Sequence, residues 1–466
     1  MKYYLAIDIG ASSGRHILGH IEGGKIVTEE IFRFENGMKE TDGHLCWDSE
    51  ALFENIIAGM KKCAETGKIP ESMGIDTWGV DFALLDREGK LIGRTVGYRD
   101  DRTKGCDLDV YKIIPEEDLY ARTGIQKQLF TTLYQLMAVK KAGGLENAET
   151  MLLIPDYFNY LLTGRKLTEY TNASTTQLLN PETKQWDYEL IEMLGYPKRI
   201  FTEIALPGTF VGMLSEDVAK EVGFNCRVVL PATHDTGSAV AAVPALQDSV
   251  LYISSGTWSL MGTELPKADT SQESRKRNLT NEGGYDYRFR YLKNIMGLWM
   301  INSAKAETAP DLSYGELCEG ASKEKIPSIV PANDDRFLAP KSMSEEVKAA
   351  CAETGQQVPE TPFEIAAVIY NSLAACYRET LKEIESMTGL KYDSISIIGG
   401  GSNADYLNRL TAAACEITVY AGPSEATAIG NLAVQMIAAG EIANLFAARK
   451  LIFESFNVKT YEPYVF

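Results

Sequence analysis

The fold of this chain is most constrained by two segments, one in each half. Each has the pattern of a strand, a short turn and a second strand. Residues 3–21 read YYLAIDIGASSGRHILGHI, and residues 249–265 lead from an apolar run through Ser-Ser-Gly-Thr at 254–257 into a second apolar run. Alternating β-prone residues on both sides of a small-residue turn predict a hairpin. One such hairpin in each half predicts a doubled fold.

The length of the chain supports the same division. At 466 residues it is too long for one hydrophobic core, which predicts two large domains or a doubled fold. We expect the two domains to comprise residues 1–245 and 246–466. The segment 244–248 is the expected crossing point. Residues 111–196 read as mostly helical and predict a helical insertion in the N-terminal domain.

Charge and composition limit the classes of partner. The formal net charge is −18, whereas a general nucleic-acid or membrane-surface binder needs a basic face, so neither partner is expected. The sequence contains neither an apolar stretch of membrane-spanning length nor a secretory signal. Eight scattered cysteines without a C-x-x-C pair predict reduced thiols in a cytoplasmic protein. We expect a monomer or a small homo-oligomer. With only four histidines, a His-rich zinc site is not expected.

Three small-residue loops are candidates for holding a nucleotide. The turn after Asp8 exposes backbone N–H groups that can hold a phosphate, with Asp8 facing the accompanying cation; the alternative is an ordinary hairpin corner. The second is the turn at 254–257. The third, IIGGGSN at 397–403, is either a tight strand-to-helix turn or a helix N-terminus facing a phosphate or adenosine. Together they predict a nucleotide held from both domains.

The segment PATHDTGSAV at 231–240 is the sharpest candidate for acid–base chemistry. Asp235 either caps the helix that begins there or, at the end of a buried strand where α/β proteins bind ligands, accepts the proton of an attacking hydroxyl. His234 either fills a core or capping role or donates to a substrate hydroxyl.

Two further segments can be interpreted either as part of a sugar-binding site or as ordinary structure. Trp78 lies either in the core or against the apolar face of a sugar, with Gly79 allowing a close backbone approach. Residues 99–102 form either a solvated turn or a hydrogen-bonding cluster suited to polyols.

Seven motifs occur in one order over nearly the whole chain: DIGASSGR, GIDTWGVDFALLD, YRDDRT, THDTGSAV, SSGTWSL, NIMGLW and GGGSN. Together they resemble the FGGY carbohydrate kinases. The resemblance implies an actin-like ATPase (ribonuclease H-like) α/β fold, with two similar α/β domains around a central cleft for nucleotide and sugar. GIDTWGVDF with THDTGS is most similar to the members that act on L-rhamnulose. The activity so implied is transfer of the ATP γ-phosphoryl group to the 1-hydroxyl of L-rhamnulose, assisted by Mg2+.

The resemblance also implies residue roles. Asp235 matches the catalytic base, and Asp8 matches the acidic residue near the metal. The matched sugar-binding positions are Trp78, Gly79 and His234. The matched ATP-binding positions are Ala11, Ser12, Ser13, Gly14, Arg15, Thr257, Asn294, Asn302 and Gly400, of which Asn302 is placed by spacing. Residues 304–359 carry no motif.

Two alternative functions remain open. The same chemistry can act on another ketose or deoxy-ketose, such as L-fuculose or L-xylulose. An actin-like or chaperone-like ATPase would instead couple its nucleotide cycle to partner binding, but the motifs around Trp78 and Asp235 have no evident purpose in that case.

Overall fold

The computed structural model describes residues 1–245, 247 and 250–463, and the chain divides into two compact units. The first comprises Met1–Ala242, Leu265–Tyr291 and Thr427–Ser455; the second comprises Val243–Glu264, Leu292–Ala426 and Phe456–Phe466. The first unit therefore includes two segments from the second half of the sequence. Positions 246, 248 and 249 lie outside the described residues, so the boundary at 245/246, the crossing segment 244–248 and the start of the second hairpin at 249 stay predictions.

A six-stranded sheet forms the centre of the first unit. Its strand order is Phe210–Met213, Arg227–Val229, Pro70–Thr77, Tyr3–Ile9, Ser13–Glu22 and Lys25–Glu35. Tyr3–Ile9 pairs antiparallel with Ser13–Glu22, as the first motif predicts, and in parallel with Pro70–Thr77. Parallel neighbours need a crossover connection, which here contains the helix Ser49–Thr66. Asp48 caps that helix by accepting from the backbone N–H of Ala51.

The sheet of the second unit repeats this plan. Six of the seven strands of its sheet follow the order Phe289–Ile295, Ser259–Leu265, Leu251–Ser255, Ser394–Ile398, Thr418–Ala421 and Lys459–Tyr461. The strand Leu251–Ser255 pairs antiparallel with Ser259–Leu265 and in parallel with Ser394–Ile398. Each unit thus has an antiparallel hairpin followed by parallel strands and an antiparallel edge strand. The predicted α/β fold with two similar domains is confirmed.

Residues 111–196 are less uniformly helical than their sequence predicts. The apolar strand Thr150–Leu153 pairs with Phe82–Leu85 and is buried along its length. A short continuous apolar run is compatible with a buried strand as well as with a helix. The pairing with Phe82–Leu85 shows that this run forms a strand. The helices in the segment are Glu116–Thr123, Thr132–Lys141, Ile154–Thr163, Tyr170–Ala173 and Tyr188–Met193, and the other strands are Thr168–Glu169, Leu179–Asn180 and Gln185–Trp186.

The long helix of the second unit follows its sequence signals. It runs over Pro362–Thr388, with a capping box between Thr361 and Glu364 and a left-handed Gly389 at its end. The remaining helices are Cys106–Tyr111, Glu216–Val222, Asp235–Ala241, Gln272–Lys276, Trp299–Thr308, Tyr314–Ala321, Met343–Glu353, Asp405–Cys415, Ala426–Ala438 and Leu445–Ser455. The remaining strands are Lys39–Thr41, His44–Trp47, Thr95–Val96, Ile204–Ala205 and Thr280–Gly283.

The cysteines and the helices bear on what composition predicts. All eight cysteines are free thiols, and all except Cys376 are buried. Among the described residues, the structure has no helix whose length and apolar character would let it cross a membrane.

One buried histidine couples the stability of the first unit to pH. His16 lies inside the sheet-to-helix core, where its Nε2 is 3.1 Å from the carbonyl oxygen of Ile56. Gly59 makes room for it, because a Cβ there would lie 2.3 Å from Nε2. Burial lowers the pKa of His16 from 6.5 to about 4. The native state therefore holds this imidazole neutral over a range in which an unfolded chain protonates it.

We expect replacement of His16 by Gln to reduce the acid sensitivity of folding. As the pH falls from 6.5 to about 4, the unfolded state binds a proton that the native state does not, so the free energy of unfolding decreases, by up to about 3 kcal/mol. His16→Gln keeps a donor for Ile56 and removes this titration. Urea unfolding at about pH 7 and about pH 4 measures the difference. An equal loss of stability in both proteins would contradict the assignment.

Candidate active site

Three carboxylates of the first unit lie close together near the carboxyl ends of neighbouring strands. Asp8 and Asp76 are paired directly in the parallel register. Asp76 is fully buried, and its Oδ2 accepts a hydrogen bond from Nδ2 of Asn431 at 2.6 Å. Burial, followed by the nearby charge of Asp8 and the more weakly acting charge of Asp235, raises the pKa of Asp76 well above its ordinary value. Sequence reasoning missed Asp76, although it lies within GIDTWGVDF.

Asp235 is the first residue of the helix Asp235–Ala241. Its Oδ1 accepts hydrogen bonds from the backbone N–H of Thr236 at 2.5 Å and from the Thr236 hydroxyl at 3.0 Å. The side chain nevertheless stays 31% exposed. The N-cap position belongs to His234, whose side chain makes no capping hydrogen bond, and Asp235 is the first helical residue. The prediction that Asp235 caps this helix is therefore wrong, and its carboxylate is accessible beside the helix start.

A strand contact brings the predicted sugar-binding residues together. The backbone N–H of Thr77 donates to the carbonyl of Thr233 at 2.9 Å, and Thr77 forms a parallel bridge with His234. The buried Glu169 fixes this segment by accepting from the backbone and hydroxyl of Thr233 at 3.0 and 2.8 Å. Trp78 and Gly79 therefore follow a strand that is held directly beside His234.

The turn at Gly79 is sterically tight. A Cβ at Gly79 would lie 2.9 Å from Oγ1 of Thr175, which also accepts from the backbone N–H of Val80 at 3.1 Å. Val80 has φ of 69°, a conformation that is rare for a β-branched residue, and the N–H of Asp81 donates to the carbonyl of Gly79 at 2.9 Å. Backbone strain of this kind persists where the surroundings hold it, often at ligand sites.

Trp78 has a core environment in this structure. Its side chain is 6% exposed and its ring centroid lies 3.9 Å from that of Trp47. Both indole N–H groups donate to Oδ2 of Asp81, at 2.9 Å from Trp78 and 2.7 Å from Trp47. The predicted contact of Trp78 with sugar stays a prediction.

Asp81 is the acceptor that organises this neighbourhood. Besides the two indoles, it accepts from the backbone N–H of Tyr98 at 3.0 Å and from Nε2 of Gln135 at 2.9 Å. Burial raises the pKa of Asp81 to about 6, although its donors act in the opposite direction. Its place inside GIDTWGVDF was the available signal, but its partners come from three other segments.

The segment 99–102 divides between the two interpretations. Arg99 and Asp101 are exposed, and Asp101 pairs with Lys104 at 2.7 Å. Asp100 accepts from the backbone N–H of Leu45 at 2.8 Å. Arg102 donates to Oε1 of Gln135 at 2.6 Å, which connects it to Asp81. Arg99 and Asp101 are thus part of a solvated turn, whereas Asp100 and Arg102 belong to a hydrogen-bonded cluster.

The first predicted phosphate loop is a compact turn. The N–H of Gly10 donates to the carbonyl of Ser13 at 2.9 Å, and Asn36 donates through Nδ2 to the carbonyl of Gly10 at 2.8 Å. Ser12 is exposed at the tip, and Ala11 and Ser13 are half-buried.

Two residues that follow the tip have identifiable structural partners. Arg15 donates from Nε to Oδ2 of Asp8 at 2.9 Å, and its Nη2 lies at the same distance. Gly14 is buried against the ring of Phe34, because a Cβ there would lie 2.1 Å from Cζ. Gly14 is thus required by packing in the hairpin, whatever its relation to a phosphate.

The second predicted phosphate loop lies in the second unit and packs against the NIMGLW motif. Thr257 is exposed, and its carbonyl accepts from the backbone N–H of Trp299 at 2.9 Å. Gly297 has φ of 60°, and a Cβ there would lie 2.4 Å from the backbone N of Ser259. Gly297 was not singled out from the sequence, because its role depends on this tertiary contact.

The predicted adenosine turn follows the strand Ser394–Ile398. A Cβ at Gly399 would lie 2.9 Å from the carbonyl oxygen of Ser255, and a Cβ at Gly401 would lie 1.9 Å from its Oγ. A Cβ at Gly400 would meet no heavy atom within 4 Å among the described residues. The flanking glycines are therefore needed by packing, while Gly400 keeps open space beside its backbone.

The two predicted asparagines also lie in the second unit. Asn294, on the strand Phe289–Ile295, has a buried Oδ1 without a hydrogen-bond partner among the described residues. Asn302 is half-buried on the helix Trp299–Thr308, and its backbone N–H donates to the carbonyl of Leu298 at 2.8 Å. Their nucleotide contacts stay predictions.

The chain belongs to the FGGY family of carbohydrate kinases. Residues 3–242 match the family's N-terminal domain, and residues 251–439 match its C-terminal domain. The resemblance read from the motifs is confirmed.

Similar proteins within the family share almost the full length. The chain is 50% identical over 463 residues to a rhamnulokinase from Halalkalibacterium halodurans, covering 99% of each chain. It is 47% identical to a rhamnulokinase from Oceanobacillus iheyensis, covering 98% of this chain and 97% of the other. Among solved structures, ligand-bound xylulose kinase from Lactobacillus acidophilus superposes with a TM-score of 0.83 at 18% identity, covering 100% of this chain and 94% of the other.

Proposed function

We propose that this chain transfers the γ-phosphoryl group of ATP to the 1-hydroxyl of L-rhamnulose. The observation that carries the proposal is the placement of Asp235, an accessible carboxylate at a helix start, beside His234 and the strained Gly79 turn. A carboxylate in such a position can accept the hydroxyl proton as the oxygen attacks phosphorus. The rhamnulokinases cited above, at 50% and 47% identity, supply the choice of sugar.

The remaining roles divide between the units. In the first unit, His234 and the backbone at Gly79 would hold the sugar. Residues 11–15 would hold the terminal phosphates, with backbone N–H groups supplied by the turn that precedes the strand Ser13–Glu22. In the second unit, Thr257 would bind phosphate, and Gly400, Asn294 and Asn302 would contact the nucleoside. Phosphoryl transfer needs little covalent chemistry from the protein, so catalysis would depend mainly on positioning and on stabilising the transferred phosphoryl group.

We further propose Mg2+ as the cation that accompanies ATP. The register pairing of Asp8 and Asp76 supplies adjacent carboxylate oxygens, the donor type that Mg2+ prefers. No cluster of three or more His, Cys, Asp or Glu side chains suited to a metal occurs among the described residues. Mg2+ that accompanies a nucleotide is usually held by one or two carboxylates, water and phosphates. When bound, Mg2+ would neutralise charge on the phosphates.

A panel of ketoses tests the choice of sugar. Release of ADP, coupled to an optical readout, would be measured with L-rhamnulose, L-fuculose and L-xylulose, and without sugar. We expect the highest kcat/KM with L-rhamnulose and little ADP release without a ketose. A higher kcat/KM for another ketose would contradict the sugar assignment, and ADP release that depends on a protein partner alone would contradict kinase activity.

A further inference from the structure

A fully buried arginine lies against the histidine proposed to contact the sugar. Arg290 donates from Nη2 to Nδ1 of His234 at 2.9 Å. Its Nε donates to the carbonyl of Gly283 at 2.8 Å, and its side chain has no exposed surface. Arg290 follows the segment 280–288 in sequence, and neither belongs to any of the seven motifs.

Residues 169–174 of the first unit anchor the backbone on both sides of the contact between Arg290 and His234. Ser174 accepts from the backbone N–H of Gly283 at 2.6 Å, which anchors the strand that carries Glu282. Thr171 accepts from the backbone N–H of His234 at 3.3 Å and donates its hydroxyl to Glu169 at 2.6 Å. The distance between Arg290 and His234 is therefore set by anchored backbone on each side.

The contact determines which nitrogen of His234 carries the proton. A guanidinium group has donors and no acceptor, and it stays charged inside proteins. Nδ1 of His234 must therefore accept, and a neutral imidazole that accepts at Nδ1 has its hydrogen on Nε2. Oε2 of Glu282 lies farther from Nδ1, at 3.4 Å, and only 3.0 Å from Nη2 of Arg290.

Glu282 balances the buried charge of Arg290. Burial alone raises the pKa of Glu282, but the nearby charge of Arg290 acts in the opposite direction, and the pKa lies below its ordinary value. The carboxylate is thus ionised beside the guanidinium, and the pair is neutral as a whole. A buried charge pair of this kind avoids the cost of an uncompensated arginine.

We propose that Arg290, whose charge is balanced by Glu282, is a positioning residue that holds His234 in the tautomer with its hydrogen on Nε2. Nε2 lies 3.6 Å from Oδ1 of Asp235, too far for a good hydrogen bond, so its N–H is available to an oxygen of the bound sugar. The opposite tautomer would present an acceptor there and compete with Asp235 for a hydroxyl proton. The inference rests on the proposed function only for the presence of a sugar at His234.

The tautomer can be read directly without any sugar. The chain has four histidines, so two-bond proton–nitrogen spectra of protein labelled with 15N-histidine are simple, and His234→Gln assigns the signals of His234. We expect a protonated Nε2 and an unprotonated Nδ1. In Arg290→Met the Glu282 carboxylate alone faces Nδ1, so the hydrogen should move to Nδ1. A wild type protonated at Nδ1, or an unchanged tautomer in Arg290→Met, would overturn the proposal.

Two further variants distinguish a specific effect on the tautomer of His234 from a general loss of stability. Glu282→Gln leaves Arg290 in place and should retain the hydrogen on Nε2; movement of that hydrogen to Nδ1 would count against Arg290 as the determinant. Arg449→Met removes another buried arginine, which donates to the carbonyl of Val240 at 2.8 Å, and should lower stability without altering the spectrum of His234. A changed His234 signal in that control would indicate a general structural effect and overturn the proposal.

Kinetics supply the second readout. Arg290→Met should raise KM for the ketose by about tenfold, the effect of one lost hydrogen bond to substrate, with KM for ATP changed by less than about twofold. Equal changes in KM for the ketose and KM for ATP would contradict a positioning role. If another ketose proves to be the substrate, the proposed sugar fails while the spectroscopic test of the tautomer is unaffected.

Discussion

Asp235→Asn should lose phosphoryl transfer while retaining its fold and its affinity for ATP. General base catalysis contributes about 10²- to 10⁴-fold, so we expect kcat for L-rhamnulose to fall by that factor. Asn keeps the size of the side chain and an oxygen that can accept from the backbone and hydroxyl of Thr236, as Oδ1 does at 2.5 and 3.0 Å. The substitution removes the negative charge and the capacity to take a proton. Steady-state kinetics with calorimetric titration of ATP measure both properties.

Asp101→Asn is the matched control for this variant. The Asp101 side chain is 79% exposed and pairs with Lys104, so the same chemical change there should alter kcat by less than about twofold. If Asp235→Asn kept a turnover close to that of the wild type, Asp235 would not be the base. If it lost affinity for ATP and thermal stability together, the loss of activity would reflect folding instead of proton transfer.

The parts of the fold that follow from local sequence were predictable. Alternating apolar residues around a small-residue turn gave the hairpin Tyr3–Ile9 with Ser13–Glu22, and Thr361 with Glu364 gave the start of the long helix. The apolar run before Asp235 placed it at the end of a strand, where the helix Asp235–Ala241 begins. Each of these features depends on residues a few positions apart.

The supporting contacts of the site could not be predicted in this way. Arg290 meets His234 across 56 positions, and Asn431 meets Asp76 across 355. No local pattern marks such pairs, since they arise when separate strands and helices pack. Asp81 was only partly predictable. It lies within the motif GIDTWGVDF, but its hydrogen bonds from Trp47 and Trp78 depend on how the chain packs.

Gly297→Ala should disrupt the second predicted phosphate loop. Its φ of 60° is unfavourable for alanine, and the new methyl group would lie 2.4 Å from the backbone N of Ser259 and 2.6 Å from the carbonyl carbon of Trp258. Because both neighbours are backbone atoms, relief requires the loop around Thr257 to move. Backbone strain costs about 1–3 kcal/mol, so we expect KM for ATP to rise by about tenfold or more and the melting temperature to fall.

Gly315→Ala separates this effect from the general consequences of a glycine replacement. Gly315 lies in the helix Tyr314–Ala321, and the nearest atom to a new Cβ is 3.9 Å away. Alanine favours helix there, so stability and KM for ATP should be unchanged or slightly improved. An unaltered KM for ATP in Gly297→Ala, with a lowered melting temperature, would mean that the loop at Thr257 supports the fold without contributing to nucleotide binding. A raised KM in Gly297→Ala alone would tie the geometry of this loop to ATP, because the methyl group acts first on the backbone of residues 257–259.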